Sequence, residues 1–263
     1  MALKTGGIII IMRMEVVVQG FPGRSLTGAL SWSSVVYVES GNCRILFDTG
    51  GPAKRSTLKI HLERAGVAPA SITTVVLSHF HDDHIRNYDF FPKAEILLSA
   101  AEDEWAATNP VHEIAFPEVY YAALKKSGRL TLVHREEEIA PGVEMLFLPG
   151  HTPGLIGLLL KNGDMPVTAL ASDSVKNMAE LATGEAPHTL DPEASRHSIR
   201  RIRSAAEIIV PGHDRVLRVE NDRIVAITEA RDGIRLPRGV MRHDDEEILE
   251  LHVPKTELPV VGH

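Results

Sequence analysis

The hydrophobic positions of the chain fall mainly into short runs that are interrupted by glycine, proline and small polar residues. Runs of about four to eight residues with many β-branched side chains predict strands. Such runs recur from the start of the chain to about residue 210. The predicted strands are residues 8–19, 33–40, 44–48, 73–78, 94–98, 130–133, 143–148, 155–160, 167–171 and 207–210.

Helical patterns separate several of these strands. Apolar residues recur at helical spacing within residues 54–65, and Gly66 ends that segment. Ser99 is predicted to cap a second helix, with Glu102 in the position of a capping box. The other predicted helices are residues 117–126 and 192–205, and the tail from residue 231 onward has no pattern that supports an assignment.

The order and composition of these segments predict the fold class. Hydrophobic residues make up 44% of the chain and charged residues 24%, as in an ordinary globular protein. Strands alternate with helices, and no repeat, low-complexity segment or linker divides the chain. We therefore predict one α/β domain over residues 1–263.

Charge and cysteine content narrow the classes of function. The formal net charge of −7 argues against a broad nucleic-acid surface, so the expected partner is a small-molecule substrate. Cys43 is the one cysteine, which excludes an intramolecular disulfide and fits a reducing, cytoplasmic location. The apolar stretch at residues 8–12 is too short to cross a bilayer, so no membrane association is predicted.

Four of the predicted strands end at a histidine or aspartate set among small or turn-forming residues. In α/β folds, ligands and catalytic groups collect at the carboxyl ends of strands. The four loops are therefore expected to converge on one site. The residues at these strand ends are His79, His151, Asp173 and His213.

Residues 78–84, with the sequence SHFHDDH, have the spacing of a metal-binding loop. His79 and His81 are two residues apart, so an extended backbone points both side chains to one side, where they can share an ion. Asp83 and His84 follow where the chain is expected to turn into a helix, and they point another way. This arrangement predicts a second ion, and Asp82 is predicted to cap the helix rather than bind metal.

Distant residues complete the two predicted metal sites. Zinc is the first choice of ion for histidine-rich ligation, and iron or manganese are the alternatives because carboxylates are present. Asp83 and Asp173 are the predicted catalytic residues, since they would hold a hydroxide shared by the two ions and move its proton. The predicted ligands are His79, His81 and His151 for the first ion, Asp83, His84 and His213 for the second, and Asp173 between them.

The order HxHxDH, then GHTPG, then an aspartate after a strand, then PGHD resembles the metallo-β-lactamase superfamily of metal-dependent hydrolases. The resemblance extends from Asp48 to Asp214. It implies a four-layer αββα sandwich, in which two sheets pack face to face between layers of helices and the metal site lies at one sheet edge. It also implies a dinuclear centre built from the seven ligands named above.

Within that superfamily the chain resembles the N-acyl homoserine lactonases and the glyoxalase II-type thioesterases. β-Lactamases of the best-known subclass have arginine in place of His84 and cysteine in place of Asp173, which argues against antibiotic hydrolysis. Ser172 replaces a glycine that is common in the family. Lys176 stands nearest to a position where the lactonases have tyrosine.

The predicted function is hydrolysis of an ester, lactone or thioester by a hydroxide that bridges two metal ions. Two alternatives stay open. A phosphodiesterase or ribonuclease could use the same site, although the net charge of −7 disfavours it. A mononuclear iron enzyme resembling the persulfide dioxygenases would use only His79, His151 and Asp173. The substrate depends on rim segments such as residues 24–31 and 106–118.

Overall fold

The computed structural model describes residues 12–24, 26, 28, 30–108, 113–240 and 247–261. The strands are β1 (Met12–Val18), β2 (Val35–Ser40), β3 (Cys43–Phe47), β4 (Thr74–Val76), β5 (Glu95–Ser99), β6 (Leu130–Val133), β7 (Glu138–Ala140), β8 (Val143–Phe147), β9 (Ile156–Leu160), β10 (Thr168–Ser172), β11 (Ile208–Pro211), β12 (Leu217–Glu220), β13 (Arg223–Ala226), β14 (Ala230–Leu236), β15 (Glu247–Val253) and β16 (Glu257–Pro259). The α-helices are α1 (Arg55–Arg64), α2 (Asp82–Ile85), α3 (Ala100–Thr108), α4 (Glu118–Lys126), α5 (Met178–Thr183) and α6 (Pro192–Ala205). Short 3-10 turns cover Pro52–Lys54, Pro69–Ser71 and Tyr88–Phe90.

The strands form two large sheets and one ribbon. The first sheet has the order β1-β2-β3-β4-β5-β6, and its strands from β3 to β6 run parallel. The second sheet has the order β16-β13-β12-β11-β10-β9-β8-β7 and is antiparallel except for the pair β10–β11. Within the described part of the chain, strands β14 and β15 form a two-stranded ribbon of their own.

Three buried clusters show that the sheets are stacked between helices. One cluster joins the first sheet to α1, α3 and α4. A second cluster takes residues from both sheets and lies between them. The third joins the second sheet to α5 and α6. The fold is therefore a four-layer αββα sandwich, which confirms the expectation from the family resemblance.

The alternation of side chains along β2 illustrates how the sequence builds these layers. Val36 and Val38 belong to the cluster between the sheets, whereas Val35 and Tyr37 belong to the cluster under the helices. All four are apolar because both faces of this strand are covered. A strand buried on both faces reads as a continuous apolar run, which is why the sequence pattern identifies it.

The predicted strands and helices up to residue 210 are present, with ends that differ by one to a few residues. The predicted strand at 8–19 is present as β1, and its first residues, 8–11, lie outside the described part of the chain. The sequence pattern missed the elements β7, α5, β12, β13, β14, β15 and β16. No helix in the described ranges is long and apolar enough to cross a membrane.

Candidate metal centre

The predicted site residues all follow strands that end at one edge of the sandwich. His79 lies after β4 of the first sheet, while His151, Asp173 and His213 lie after β8, β10 and β11 of the second. Gly212 lets two of these loops approach, because a Cβ atom there would lie 2.0 Å from Oδ1 of Asp173. The predicted convergence of four strand ends is what the structure shows.

His79, His81 and His151 form one half of the site. Nε2 of His79 and Nε2 of His151 each lie 3.1 Å from Nδ1 of His81. The ligand atoms of the three residues all lie within 4.8 Å of one another. One cation can therefore contact all three nitrogens, as the spacing of the loop predicts.

The hydrogen bonds behind these rings fix which nitrogen faces the site. Nδ1 of His151 lies 3.1 Å from the carbonyl oxygen of His188, which can only accept, so Nδ1 carries the proton. Nδ1 of His79 contacts Oγ of Ser78 at 2.9 Å, and that hydroxyl donates in turn to Asp48. Nε2 of both rings is thus left with a lone pair directed at His81. Converging lone pairs of this kind fit a bound cation.

Asp83, His84 and His213 form the other half of the site. Oδ2 of Asp83 lies 3.3 Å from Nε2 of His213 and 3.7 Å from Nε2 of His84. These three ligand atoms also lie within 4.8 Å of one another. Among the described residues, no hydrogen-bond partner is found for the buried Nε2 of His84, although oxygens of Asp83 and Asp173 lie 3.7 Å and 3.3 Å away. A buried polar atom with that surrounding again fits a cation.

Asp173 lies between the two halves. Its Oδ1 is 3.2 Å from Nε2 of His213 and 3.3 Å from Nε2 of His84. Its Oδ2 is 3.4 Å from Nε2 of His151. One carboxylate therefore presents one oxygen to each half, which is the geometry required of a bridging ligand.

Asp48 is a buried carboxylate at the end of the predicted strand 44–48, outside the predicted ligand set. Its Oδ2 accepts hydrogen bonds from Nδ1 of His84 at 2.8 Å and from Oγ of Ser78 at 2.8 Å. Its Oδ1 accepts from the backbone N–H of Ser78 at 2.8 Å. Asp48 thereby directs Nε2 of His84 into the site and steadies the start of the His79 loop. Asp48 also follows an apolar strand, β3, but its contacts with Ser78 and His84 join segments that are distant in the sequence.

Ser172, the residue at the glycine position of the family, adopts a left-handed backbone with φ of 47°. For a residue with a Cβ atom that conformation costs roughly 1–2 kcal/mol. Its hydroxyl lies 2.7 Å from Oγ of Ser78 and donates to Oδ2 of Asp48 at 3.1 Å. The serine therefore adds hydrogen bonds to the network around Asp48 that a glycine could not make.

Asp82 does not have the predicted capping role. It is the first residue of the four-residue helix α2, and His81 occupies the cap position. The carboxylate of Asp82 instead accepts from Arg86 at 2.6 Å. The capping prediction is therefore wrong. Asp82 lies on the wall of the cleft, and that it does not bind metal stays a prediction.

The two halves of the site differ in their electrostatics. Burial holds the pKa of His79 and His81 below the ordinary histidine value and lowers that of His151 to about 3. Burial would also lower the pKa of His84, but the charges of Asp83, Asp173 and Asp48 raise it well above the ordinary value. The three-histidine half therefore holds neutral imidazoles, and the carboxylates concentrate charge at the other half.

The site opens into a cleft of about 810 Å³. Two of the predicted ligands, His79 and His84, lie behind the wall of the cleft. The other five are on the wall: His81, Asp83, His151, Asp173 and His213. Two rim segments that the sequence singled out contribute Arg24 and Glu113. The cleft gives a small substrate access to the point where the ligands converge.

Lys176 and Glu180 line one wall of the cleft and were not predicted as site residues. Nζ of Lys176 lies 3.1 Å from Oε1 of Glu180, and the backbone N–H of Lys176 donates to Oε2 of Glu180 at 2.7 Å. The carbonyl of Lys176 accepts from the N–H of His213 at 2.8 Å. This segment therefore fixes both the cleft wall and the loop that carries His213.

The sequence profile of the metallo-beta-lactamase superfamily matches residues 31–213, which include every predicted ligand. The chain belongs to the metallo-beta-lactamase superfamily. It is a hydrolase of this superfamily, with a histidine and aspartate cluster suited to divalent metal ions. The fold and the order of the site residues are those expected from the sequence resemblance.

Several curated members of the superfamily are similar to this chain. Metallo-beta-lactamase domain-containing protein 1 of Xenopus laevis is 32% identical over 179 residues, which cover 68% of this chain and 70% of the relative. The Mus musculus protein of the same name is 30% identical over 68% of this chain and 63% of its own length, so the match spans less than two thirds of it. N-acyl homoserine lactonase of Agrobacterium fabrum is 27% identical over 69% of this chain and 68% of the relative.

Solved structures of the superfamily share the fold. A Thermotoga maritima protein assigned to the metallo-beta-lactamase type superposes with a TM-score of 0.64 at 22% identity, over 79% of this chain and 99% of that one. A dizinc quorum-quenching lactonase superposes with a TM-score of 0.60 at 20% identity, over 72% of this chain and 76% of that one. At these identities the likeness concerns the fold.

Proposed function

We propose that this chain hydrolyses the carbonyl ester bond of a small molecule, as a lactone, ester or thioester, with two divalent metal ions of which zinc is the first choice. The observation that carries the proposal is the position of Asp173. Its Oδ1 faces His84 and His213, and its Oδ2 faces His151, so one side chain joins two groups of ligands. A single ion would contact one of these two groups, whereas two ions would contact both, so the arrangement favours two ions.

Two bound cations would lower the pKa of a water held between them and polarise the scissile carbonyl oxygen. The residues of the chain then have distinct tasks. The buried histidines hold fixed tautomers, and Asp48 keeps Nε2 of His84 directed into the site. Asp83 has 37% of its side chain exposed, and it lines the cleft, so its carboxylate can take a proton from the attacking water and return it to the leaving oxygen or sulfur.

The charges of the cleft favour a small substrate over a polyanion. The basic lining residues are Arg24 and Lys176, and the ammonium of Lys176 is already paired with Glu180. Acidic residues Asp82 and Glu113 line the same cleft. A nucleic acid requires a row of cations that follows its phosphates. The described residues of the lining form no such row, which supports a carbonyl substrate rather than a phosphodiester.

Relatives supply a starting point for the substrate. The Agrobacterium protein is named an N-acyl homoserine lactonase, and the dizinc structure is that of a quorum-quenching lactonase. Both names point to a carbonyl ester closed into a ring. Lys176 lines the cleft of this chain close to the bridging aspartate, at the position where the sequence departs from the lactonases. The proposed class is therefore kept at esters, lactones and thioesters.

The test is hydrolysis by protein that has been stripped with a chelator and reloaded with zinc, manganese or iron. The panel contains N-acyl homoserine lactones, a glutathione thioester, a simple aryl ester, an aryl phosphodiester and a short RNA. We expect metal-dependent turnover of a carbonyl substrate and its loss in Asp173→Asn. Turnover confined to the phosphodiester or RNA would contradict the proposal, as would oxygen consumption with one bound iron.

A further inference from the structure

Glu102 is a carboxylate buried without any exposed surface in the first turn of α3, outside the predicted ligand set. Ser99 caps this helix as predicted, because its Oγ accepts the N–H of Glu102 at 3.0 Å. The side chain of Glu102 does not return to the cap residue as a capping box requires. It reaches instead to the backbone of two loops that carry ligands.

The two oxygens of Glu102 bind one loop each. Oε1 accepts the N–H of Phe80, the residue between His79 and His81, at 2.9 Å. Oε2 accepts the N–H of Gly154, three residues after His151, at 3.1 Å. These two loops together supply all three histidines of the first half of the site. The carboxylate therefore connects the loop that carries His79 and His81 to the loop that carries His151.

Packing leaves little freedom at this point. Ser99 donates from Oγ to the carbonyl of Gly154 at 2.5 Å, beside the bond from Glu102. A Cβ atom on Gly154 would lie 2.0 Å from the backbone nitrogen of Glu102. Phe80 is fully buried, so its loop cannot shift outward without opening the core. The two loops are thus joined by the short bridge through Glu102, beside the direct bond from the N–H of Ile156 to the carbonyl of Ser78 at 2.9 Å.

The other half of the site is held from a different side. Oγ of Ser33 donates to the carbonyl of Asp83 at 2.5 Å, and the N–H of Thr49 donates to the carbonyl of His84 at 2.7 Å. His213 is held through the carbonyl of Lys176 at 2.8 Å. Glu102 contributes to none of these bonds. A change at Glu102 should therefore act on one half of the centre more than on the other.

We propose that Glu102 is a positioning residue that sets the separation of the His79–His81 loop and the His151 loop, and so selectively sets the metal affinity of the three-histidine half. The inference rests on the proposed metal centre and names a residue that touches neither metal nor substrate. Buried carboxylates that accept two backbone N–H groups fix geometry through charge-assisted hydrogen bonds. Outer residues of this kind typically change metal affinity by about 10–100-fold when they are replaced.

The experiment measures cobalt(II) affinity by visible absorption in two backgrounds, at about pH 8, where Glu102 is ionised because the pH lies above its raised pKa. His213→Ala leaves the three-histidine half, and His151→Ala leaves the half with Asp83 and His84. Glu102→Gln is introduced into each, because the glutamine amide has one acceptor oxygen and cannot accept both N–H groups. We expect about ten-fold or greater loss of affinity in the His213→Ala background and a change within about two-fold in the other.

The control is Glu104→Gln, which makes the same chemical change at an exposed position of α3 and should alter neither affinity. Equal losses of cobalt affinity in both backgrounds would overturn the inference, since a general effect on the fold predicts that result. No loss of affinity in either background would also overturn it. Should Glu102→Gln not fold by circular dichroism, Ser99→Ala removes the neighbouring bond to Gly154 and must show a smaller loss in the same half only. Failure of the unmodified protein to take up cobalt would overturn the proposed function as well.

Discussion

Asp48 and His84 are 36 positions apart in the chain, yet Oδ2 of Asp48 lies 2.8 Å from Nδ1 of His84, and both side chains are buried. The Nδ1 side of the imidazole thus faces the negative charge of the Asp48 carboxylate. Asp48 also accepts from the backbone and the hydroxyl of Ser78. This contact therefore links the orientation of a predicted ligand to the position of the loop that carries two others.

Replacing Asp48 by Asn should lower metal affinity while the chain still folds. The amide of asparagine has one acceptor oxygen and cannot accept from His84 and both donors of Ser78 together. We expect affinity to fall about 10–100-fold and turnover to fall in parallel at limiting metal. Metal titration of stripped protein measures the change. Asp89→Asn, at a surface ion pair with Arg55, is the matched control, and an equal loss there would contradict the role of Asp48.

Replacing a predicted ligand by alanine should abolish turnover and leave the fold intact. His81→Ala removes a proposed terminal ligand and Asp173→Ala the proposed bridging ligand, so turnover should fall below detection in both variants. The metal-free fold should persist, because the three apolar clusters do not contain these side chains. Circular dichroism and steady-state assays at saturating zinc measure the two properties. Retained turnover in either variant would rule out the dinuclear assignment.

Gly154→Ala should destabilise the protein through overpacking. The added Cβ would lie 2.0 Å from the nitrogen of Glu102 and 2.3 Å from Oγ of Ser99, so α3 or the His151 loop must move. We expect a loss of about 1–3 kcal/mol in the free energy of unfolding, together with weaker metal binding. Gly163→Ala serves as comparison, since no atom lies near its added Cβ and only its backbone φ of 56° opposes the change. A smaller effect at Gly154 than at Gly163, in urea unfolding, would refute this packing argument.

The pH dependence of metal-free stability should carry a contribution from Glu102. Burial raises the pKa of Glu102 from 4.5 to about 7. The folded protein then retains a proton that the unfolded chain has released, so this contribution to the free energy of unfolding falls as pH rises from about 4.5 to about 7. Over this pH range the free energy of unfolding should fall by about 3 kcal/mol through Glu102 alone.

Urea unfolding of stripped wild type and Glu102→Gln, at about pH 5 and about pH 8, isolates that contribution. Glutamine does not titrate, so the advantage of wild type over the variant should be larger at the lower pH. Glu104→Gln, at an exposed position of the same helix, is measured alongside as the control variant. A difference between wild type and Glu102→Gln that is the same at both pH values would contradict the expectation.

Much of the fold could be predicted because its central strands are short apolar runs with turn residues at their ends. β9 is buried along its whole length, and its pattern is unmistakable. The missed strands β12 and β13 alternate with exposed charged residues such as Arg218 and Glu220. These two strands form because they pair with the adjacent strands of the second sheet, and their own hydrophobic pattern does not predict them. The ribbon of β14 and β15 is largely exposed and gives a weak signal for the same reason.

The predicted ligands could be found because metal chemistry restricts both residue type and spacing. Asp48 and Glu102 could not be found in that way, since each acts through contacts with distant segments. The local signal at Glu102 even suggested a different role: Ser99 does cap α3, but the carboxylate bonds to Phe80 and Gly154 rather than to the cap. Residues that support a site are thus visible only after the loops have been placed.

The most direct test of the central claim is a zinc titration of stripped protein, followed by metal content and by turnover of a carbonyl substrate. The division of Asp173 between two ligand groups predicts that both quantities rise until two ions are bound per chain. Asp173→Asn should then bind less metal and show no turnover. Saturation of both quantities at one ion per chain, or activity that needs one iron and oxygen, would contradict the account.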